Sequence, residues 1–158
     1  MSEAVPNLMA RLQETPAVAR AFFAMKEIFD QTSFDARERE IITTVVSVEH
    51  RCRYCVAFHS AHLANSDEDP VTIAALRGGG RLPDARLDAL AGYVRALVRG
   101  RGTVGPGDLA ALRSSGYTDA QAREAVIGVA FMTLSNYTNH LAPAALDESL
   151  WPFGWSPA

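Results

Sequence analysis

An all-α fold in a single domain is what this chain predicts, and three observations carry the prediction. Apolar residues recur at helical spacing: in "AVARAFFAMKEIF", residues 17–29, Val18, Phe22, Met25 and Phe29 fall on one stripe. The joints between such segments are short and marked by proline, glycine and capping residues, and no linker is long enough to split the chain. Only one segment has strand character, and a lone strand cannot satisfy its backbone.

The elements follow in order. After the stripe at 17–29, Asp35 with Glu38 three residues on forms a capping box that starts a second helix running to about residue 49. Within it "IITTVVSV", residues 41–48, is dense in β-branched residues, and local propensity alone favours a strand. A strand, C-x-x-C and helix in succession would suggest a thioredoxin-like fold, but no second segment could pair with it, so 35–49 is expected to be a buried helix. The cysteines open the next helix. Asp69-Pro70 starts a short one that the glycines at 78–80 close. Residues 84–99 make another, ending in "RGRG"; Pro106 to Ser115 is stopped by Gly116; Thr118 with Gln121 caps a long final helix toward Pro143. A weak internal repeat aligns "DAREREII" at 35 with "DAQAREAV" at 119, and carried on it sets Asn136 and Asn139 against Cys52 and Cys55.

Composition narrows the function. With 158 residues, 48% hydrophobic, 21% charged and a net charge of −3, the chain can bury one proper core. It has no lysine- or arginine-rich block, so nucleic acid and anionic membranes are not expected partners. No basic-then-apolar leader and no span of about 18 apolar residues occurs, which makes the cytoplasm the expected compartment. In that reducing setting a C-x-x-C pair points to redox or metal chemistry rather than a structural staple.

That pair lies in "EHRCRYCVAFHSAHL", residues 49–63, with three of the four histidines. Cys52, Cys55 and His59 are spaced i, i+3 and i+7 and share one helix face. Residues three apart have β-carbons about 5–6 Å apart, near what a disulfide closes with modest adjustment. At a helix start, unpaired N–H groups would also stabilise a thiolate. Zinc held by Cys52, Cys55, His59 and His62 is disfavoured, because a straight helix rises about 15 Å between 52 and 62 whereas ligands converge to about 2.0–2.3 Å from one metal. Two readings stay open on spacing alone: a redox pair, or two small core residues beside a satisfied core histidine.

Glu40 lies twelve positions before Cys52, so the chain contains E-x11-C-x2-C-x3-H as Glu40, Cys52, Cys55 and His59. With "RERE" at 37–40, the tyrosine inside "CRYC" and "GYTDAQ" at 116, this resembles the alkylhydroperoxidase D-like branch of the carboxymuconolactone decarboxylase superfamily over most of residues 15–147. The resemblance implies one multi-helical domain over 1–158, with its core at about 15–147 and an aromatic tail at 148–158. It also implies homotrimers or homohexamers and a thiol-dependent peroxidase. By that resemblance Cys55 attacks the peroxide and becomes a sulfenic acid, Cys52 condenses with it to a disulfide, and Glu40 and His59 relay the proton. The best-studied members carry a second histidine where this chain has Tyr54, whose hydroxyl can still donate a hydrogen bond. No bound cofactor is expected; the electrons would come from an external thiol, a dihydrolipoyl group or a thioredoxin-type donor. Two rivals are a disulfide carrier serving a peroxiredoxin, and a cysteine-independent lactone decarboxylase, whose reaction has no need of paired thiols.

The relay has a geometric expectation. If the helices before and after residues 50 and 51 form an antiparallel hairpin, Glu40 lies about 15 Å before the turn and His59 about 12 Å after it, nearly level. A carboxylate beside an imidazole fixes its tautomer and raises its basicity. Lowering a thiol pKa from about 8.5 to about 7 raises thiolate at pH 7 roughly sixteenfold but costs about fivefold in nucleophilicity. A positioned acid contributes ~100-fold or more, so the relay's larger role is expected to be proton delivery to the leaving oxygen. Glu49 is expected at the turn, facing solvent. His62, one turn past His59, is expected partly exposed or at a pocket mouth, and Asn136, Asn139 and His140 form a polar cluster expected at the same pocket or at a subunit contact. The tail "LWPFGWSPA" is expected to dock on a neighbouring subunit.

Overall fold

In a computed structural model the described residues, 6–157, form eight α-helices and one short 3-10 helix, with no strand among them. The α-helices are α1 (Asn7–Gln13), α2 (Pro16–Asp30), α3 (Ala36–Glu49), α4 (Arg53–Asn65), α5 (Pro70–Arg77), α6 (Ala85–Arg99), α7 (Pro106–Ser114) and α8 (Asp119–Leu141); the 3-10 helix is Glu148–Phe153. The all-α expectation holds, and among the described residues no helix is long and apolar enough to cross a membrane.

The start signals act as their chemistry predicts. The Asp35 side chain accepts from the Glu38 backbone while the Glu38 side chain accepts from that of Asp35, closing both halves of the box on α3. Thr118 and Gln121 do the same for α8, Asp69 caps α5, and Gly116 ends α7 with a left-handed φ of 89°. Helix α1 escapes the sequence reading, since seven residues hold too few apolar positions to show a period.

Helix α3 is the centre, packing against α2, α4, α5, α6 and α8, and it is buried along nearly its whole length. That is why the β-branched run at 41–48 is a helix: side chains fill space on every side, and burial outweighs propensity costs of a few tenths of a kcal/mol per residue, about 0.7 at most. One acidic residue is sealed in as well. Glu38 is 3% exposed, takes hydrogen bonds from Arg86 and from the Tyr117 hydroxyl at 2.9 Å, and so ties α3 to α6 and to the start of α8. The Arg86 guanidinium stacks over the Tyr117 ring at 4.1 Å.

Two expectations, for Glu49 and for the repeat, are corrected, and the tail makes contacts within its own chain. The aromatic tail docks on its own chain: the 3-10 helix packs on α4, Trp155 donates to the Arg77 carbonyl at 3.0 Å, and Arg77 binds the carbonyls of Phe153 and Gly154 at 2.9 and 2.7 Å. Glu49 does not face solvent freely, because Arg99 holds both its oxygens at 2.8 and 2.9 Å. The repeat fails at the turn, for α8 runs unbroken through the positions matching the break between α3 and α4.

Gly128 sets how closely α8 approaches. A β-carbon there would lie 2.7 Å from Ile42 Cγ2 and 2.7 Å from Phe29 Cε2. Alanine gains about 1 kcal/mol in helix propensity, and overpacking costs about 1–3 kcal/mol, so Gly128→Ala is expected to lose about 1 kcal/mol net. Urea denaturation measures this; a variant as stable as the parent would show that α2 and α3 yield freely.

Candidate active site

The site is built on the reversal between α3 and α4. His50 caps α3, Arg51 takes a left-handed φ of 59°, and the Cys52 backbone N–H bonds back to the Ser47 carbonyl at 2.9 Å, as the Arg51 N–H does to that of Val48 at 3.0 Å. This pair of bonds is a Schellman motif. It makes Cys52 the N-cap of α4 and puts Cys55 within the first turn. The two sulfurs are 2.7 Å apart, and both cysteines are free thiols.

The predicted level pairing also forms. Glu40 Oε2 lies 2.8 Å from His59 Nδ1, both side chains being largely buried. A carboxylate at Nδ1 holds the proton there and leaves Nε2 as the base. Thr43, one turn after Glu40, adds its hydroxyl 3.2 Å from the same Nδ1. Burial works against the charge on Glu40, but the His59 charge and hydrogen bond, with His62 further off, hold its carboxyl below the usual range.

These groups open onto a cavity of about 380 Å³. Cys55, His59, Glu40, Thr43 and Ser135 share its lining with Phe22, Phe29, Phe131, Met132 and Leu8, while the half-exposed Phe23 and Phe58 also line it. Its size suits a small organic molecule, and its walls are mostly apolar. Cys52 does not line this cavity; it is fully buried behind Cys55, and Asn139 Nδ2 reaches its sulfur at 3.5 Å. The amide of Asn139 is oriented by the Ala144 N–H, which donates to its Oδ1 at 2.9 Å.

The two thiols are therefore unequal. Hydrogen bonding from the Cys55 thiol, aided by the Cys55 backbone N–H and the amides of Asn139 and Asn136, outweighs burial and brings Cys52 down to about 7. Cys55 is pushed up, because its proton is shared with Cys52 and its loss would place a second charge in a buried site. The pair loses one proton readily and the second with difficulty.

The remaining predicted residues separate. Tyr54 lines the cavity, but its hydroxyl donates to Asp147 and accepts from the Leu8 N–H at 3.4 Å, so it anchors α1 and the C-terminal segment rather than serving the thiols. His62 is exposed at the cavity lining, with Nε2 3.8 Å from Glu40 Oε1. Asn136 is fully buried, its Oδ1 3.1 Å from His50 Nδ1. His140 is not brought to the site; it is exposed and stacks on Tyr137. Thr43 and Ser135 went unpredicted: Thr43 shares the helix face of Glu40 and was within reach of periodicity, whereas Ser135 gives no local signal.

Residues 16–99, from α2 through α6, match the carboxymuconolactone decarboxylase family, and this stretch holds Glu40, Cys52, Cys55 and His59. The chain belongs to that family. Among solved structures it is similar to an alkylhydroperoxidase AhpD core, an uncharacterized peroxidase-related protein from Ralstonia eutropha JMP134. That match has 26% identity and a TM-score of 0.83, covering 98% of this chain and 83% of the other. A peroxidase-related protein from Silicibacter sp. TM1040 matches at 23% identity and TM-score 0.79, over 92% of this chain and 78% of the other. A debrominase bound to 2,3,4-tribromopyrrole matches at 14% identity and TM-score 0.76, over 95% and 81%. The likeness to these last two is one of fold. No curated protein matches the sequence.

The inequality of the thiols has a spectroscopic consequence. Ultraviolet thiolate absorbance of the reduced protein is expected to rise through about pH 7, for a single thiolate. Asn139→Leu removes a donor to the charged sulfur, so the midpoint should move upward. A midpoint at the ordinary thiol value in the parent, or one unmoved by the variant, contradicts the assignment.

Proposed function

We propose that the protein is a thiol-dependent peroxidase that reduces hydrogen peroxide or organic hydroperoxides through a Cys55–Cys52 dithiol and disulfide cycle. The observation that carries this reading is the position of Cys55: it lines an apolar cavity beside the Glu40–His59 pair, with the Cys52 sulfur 2.7 Å behind it.

In the proposed cycle the Cys55 thiolate attacks the outer peroxide oxygen and the O–O bond breaks. The departing alkoxide or hydroxide takes the Nε2 proton of a doubly protonated His59, leaving an alcohol or water, a sulfenic acid on Cys55 and a neutral His59 whose proton stays at Nδ1. The Cys52 thiol, which holds the proton the pair shares, then attacks Cys55, that proton joins the hydroxyl, which leaves as water, and the disulfide forms. Two electrons return from an external thiol, a dihydrolipoyl group or a thioredoxin-type protein. Glu40 keeps the His59 proton at Nδ1, so that Nε2 serves the reacting oxygen.

Peroxide consumption with dithiothreitol is the test. Turnover is expected in the parent and lost in Cys55→Ser and in Cys52→Ser, while His59→Gln and Glu40→Gln fall by ~100-fold. Negligible turnover with rapid disulfide exchange toward a protein partner would instead mark a carrier. Release of bromide from 2,3,4-tribromopyrrole would mark a dehalogenase, and turnover of a lactone acid independent of both cysteines a decarboxylase.

A further inference from the structure

His50 has no place in the cycle above, although it lies two residues before Cys52 and sits half-buried at the turn between α3 and α4. Its Nδ1 is 3.1 Å from Oδ1 of Asn136, a fully buried side chain on α8. The amide of Asn136 in turn hydrogen-bonds to both sulfurs and favours the charged form of Cys52 and of Cys55. One buried amide therefore joins this ring to the thiol pair.

The donors along this line can be assigned. Ser47 spends its hydroxyl proton on the Thr43 carbonyl at 2.7 Å, so toward Asn136, 3.5 Å away, its oxygen can only accept. Nδ2 of Asn136 must then face Ser47, which leaves Oδ1 for His50 and requires Nδ1 of that ring to carry a proton. The opposite amide orientation would set two acceptors against each other at Ser47. It would also turn Oδ1, the negative end of the amide, toward sulfurs that share a negative charge. We propose that His50 is a positioning residue for the thiol pair: its Nδ1–H holds the Asn136 carbonyl oxygen and so keeps the amide N–H groups turned toward Ser47 and the two sulfurs. The effect on the thiols is separate from the peroxidase reading, and only its value in turnover rests on that reading.

The ring acts as a donor and not as a cation. Burial holds the His50 pKa below its ordinary value; the Asn136 bond opposes this, the charge of His140 adds to it, and Glu49 opposes it. His50 is thus mostly neutral at pH 7 and above, and its single proton is the one at Nδ1. The two neighbouring charged groups are placed by other contacts. His140, on α8, stacks at 6.2 Å on the Tyr137 ring, which packs against His50 at 5.0 Å. Glu49, on α3, has both oxygens held by Arg99.

His50→Phe keeps a ring against Tyr137 and removes the donor, whereas His50→Asn puts a side-chain N–H near the place of Nδ1. With the amide free to turn, the thiolate midpoint in His50→Phe is expected to rise from about 7 by about half a pH unit. Thiolate absorbance at pH 7 should then fall to about half of the parent's and match it at pH 9. His50→Asn should restore the parental midpoint. In an Asn136→Leu background, itself raised, His50→Phe should add no further shift, because His50 acts only through that amide. A direct readout is nitrogen NMR of the neutral His50 ring, which should carry its proton on Nδ1, the minor tautomer of free histidine. A parental midpoint in His50→Phe, a loss that His50→Asn does not repair, an equal further shift in the Asn136→Leu background, or a proton on Nε2 overturns the proposal. A shifted midpoint in a protein that consumes no hydroperoxide brings down the peroxidase reading and leaves the positioning role standing; turnover with an unmoved midpoint does the reverse.

Discussion

Everything at the site depends on the chain reversing at residues 50–52. One Schellman turn, with Arg51 in the left-handed region, joins two helices so that Glu40 meets His59 and both cysteines arrive at the start of α4. A left-handed conformation costs a residue with a β-carbon roughly 1–2 kcal/mol, and glycine would avoid that cost. The surrounding packing maintains it: α3 is gripped on nearly all sides, and Cys52 is sealed beneath α8. A residue added or lost at this turn would rotate α4 by about 100° relative to α3, which takes His59 away from Glu40. Relay and thiols are thus one geometric unit.

Burying α3 is compatible with this polar chemistry because its hydroxyls are satisfied locally. Thr44 and Ser47 donate to carbonyls one turn back at 2.7 Å, and Thr43 donates to the Glu40 carbonyl at 3.0 Å while its oxygen stays near His59. No buried polar side-chain atom among the described residues lacks a partner. This arrangement also explains what the sequence could reveal. Capping boxes, proline starts and glycine stops act within four residues, so the ends of α3, α5 and α8 were legible. So was the pairing of Glu40 with His59, which follows from helix rise once a hairpin is assumed.

What lay beyond reading is what crosses between distant segments. Asn139 and Ser135 matter because α8 packs over the thiols, and nothing near residues 52–55 announces which helix that will be. The repeat alignment set Asn139 against Cys55; in space its amide meets Cys52. Tyr54 was expected to offer its hydroxyl at the site, yet that hydroxyl donates to Asp147 far along the chain. The tail aromatics were apolar enough to require a surface, and α4 of the same chain supplies part of it, while Trp151 stays 64% exposed. The placement of Glu49 failed for the same reason, since its partner Arg99 belongs to a helix fifty residues later.

The unequal thiols can be reconciled with Cys55 as the attacking residue. Acidity alone would nominate Cys52, but Cys52 is walled off, and in the proposed cycle a peroxide entering the cavity would meet Cys55. The pair holds one negative charge and one shared proton, so moving that proton toward Cys52 turns Cys55 into the thiolate. That thiolate is the more basic of the two, and nucleophilicity rises with basicity. The reductive half of the proposed cycle uses the same asymmetry in reverse. A small external thiol entering the cavity attacks the Cys55 sulfur, and the leaving group is Cys52, which departs faster because its thiolate is stabilised by Asn139. In the proposed cycle, burying the more acidic sulfur therefore serves both halves: the cavity-lining position carries the stronger nucleophile, and the one behind it the better leaving group.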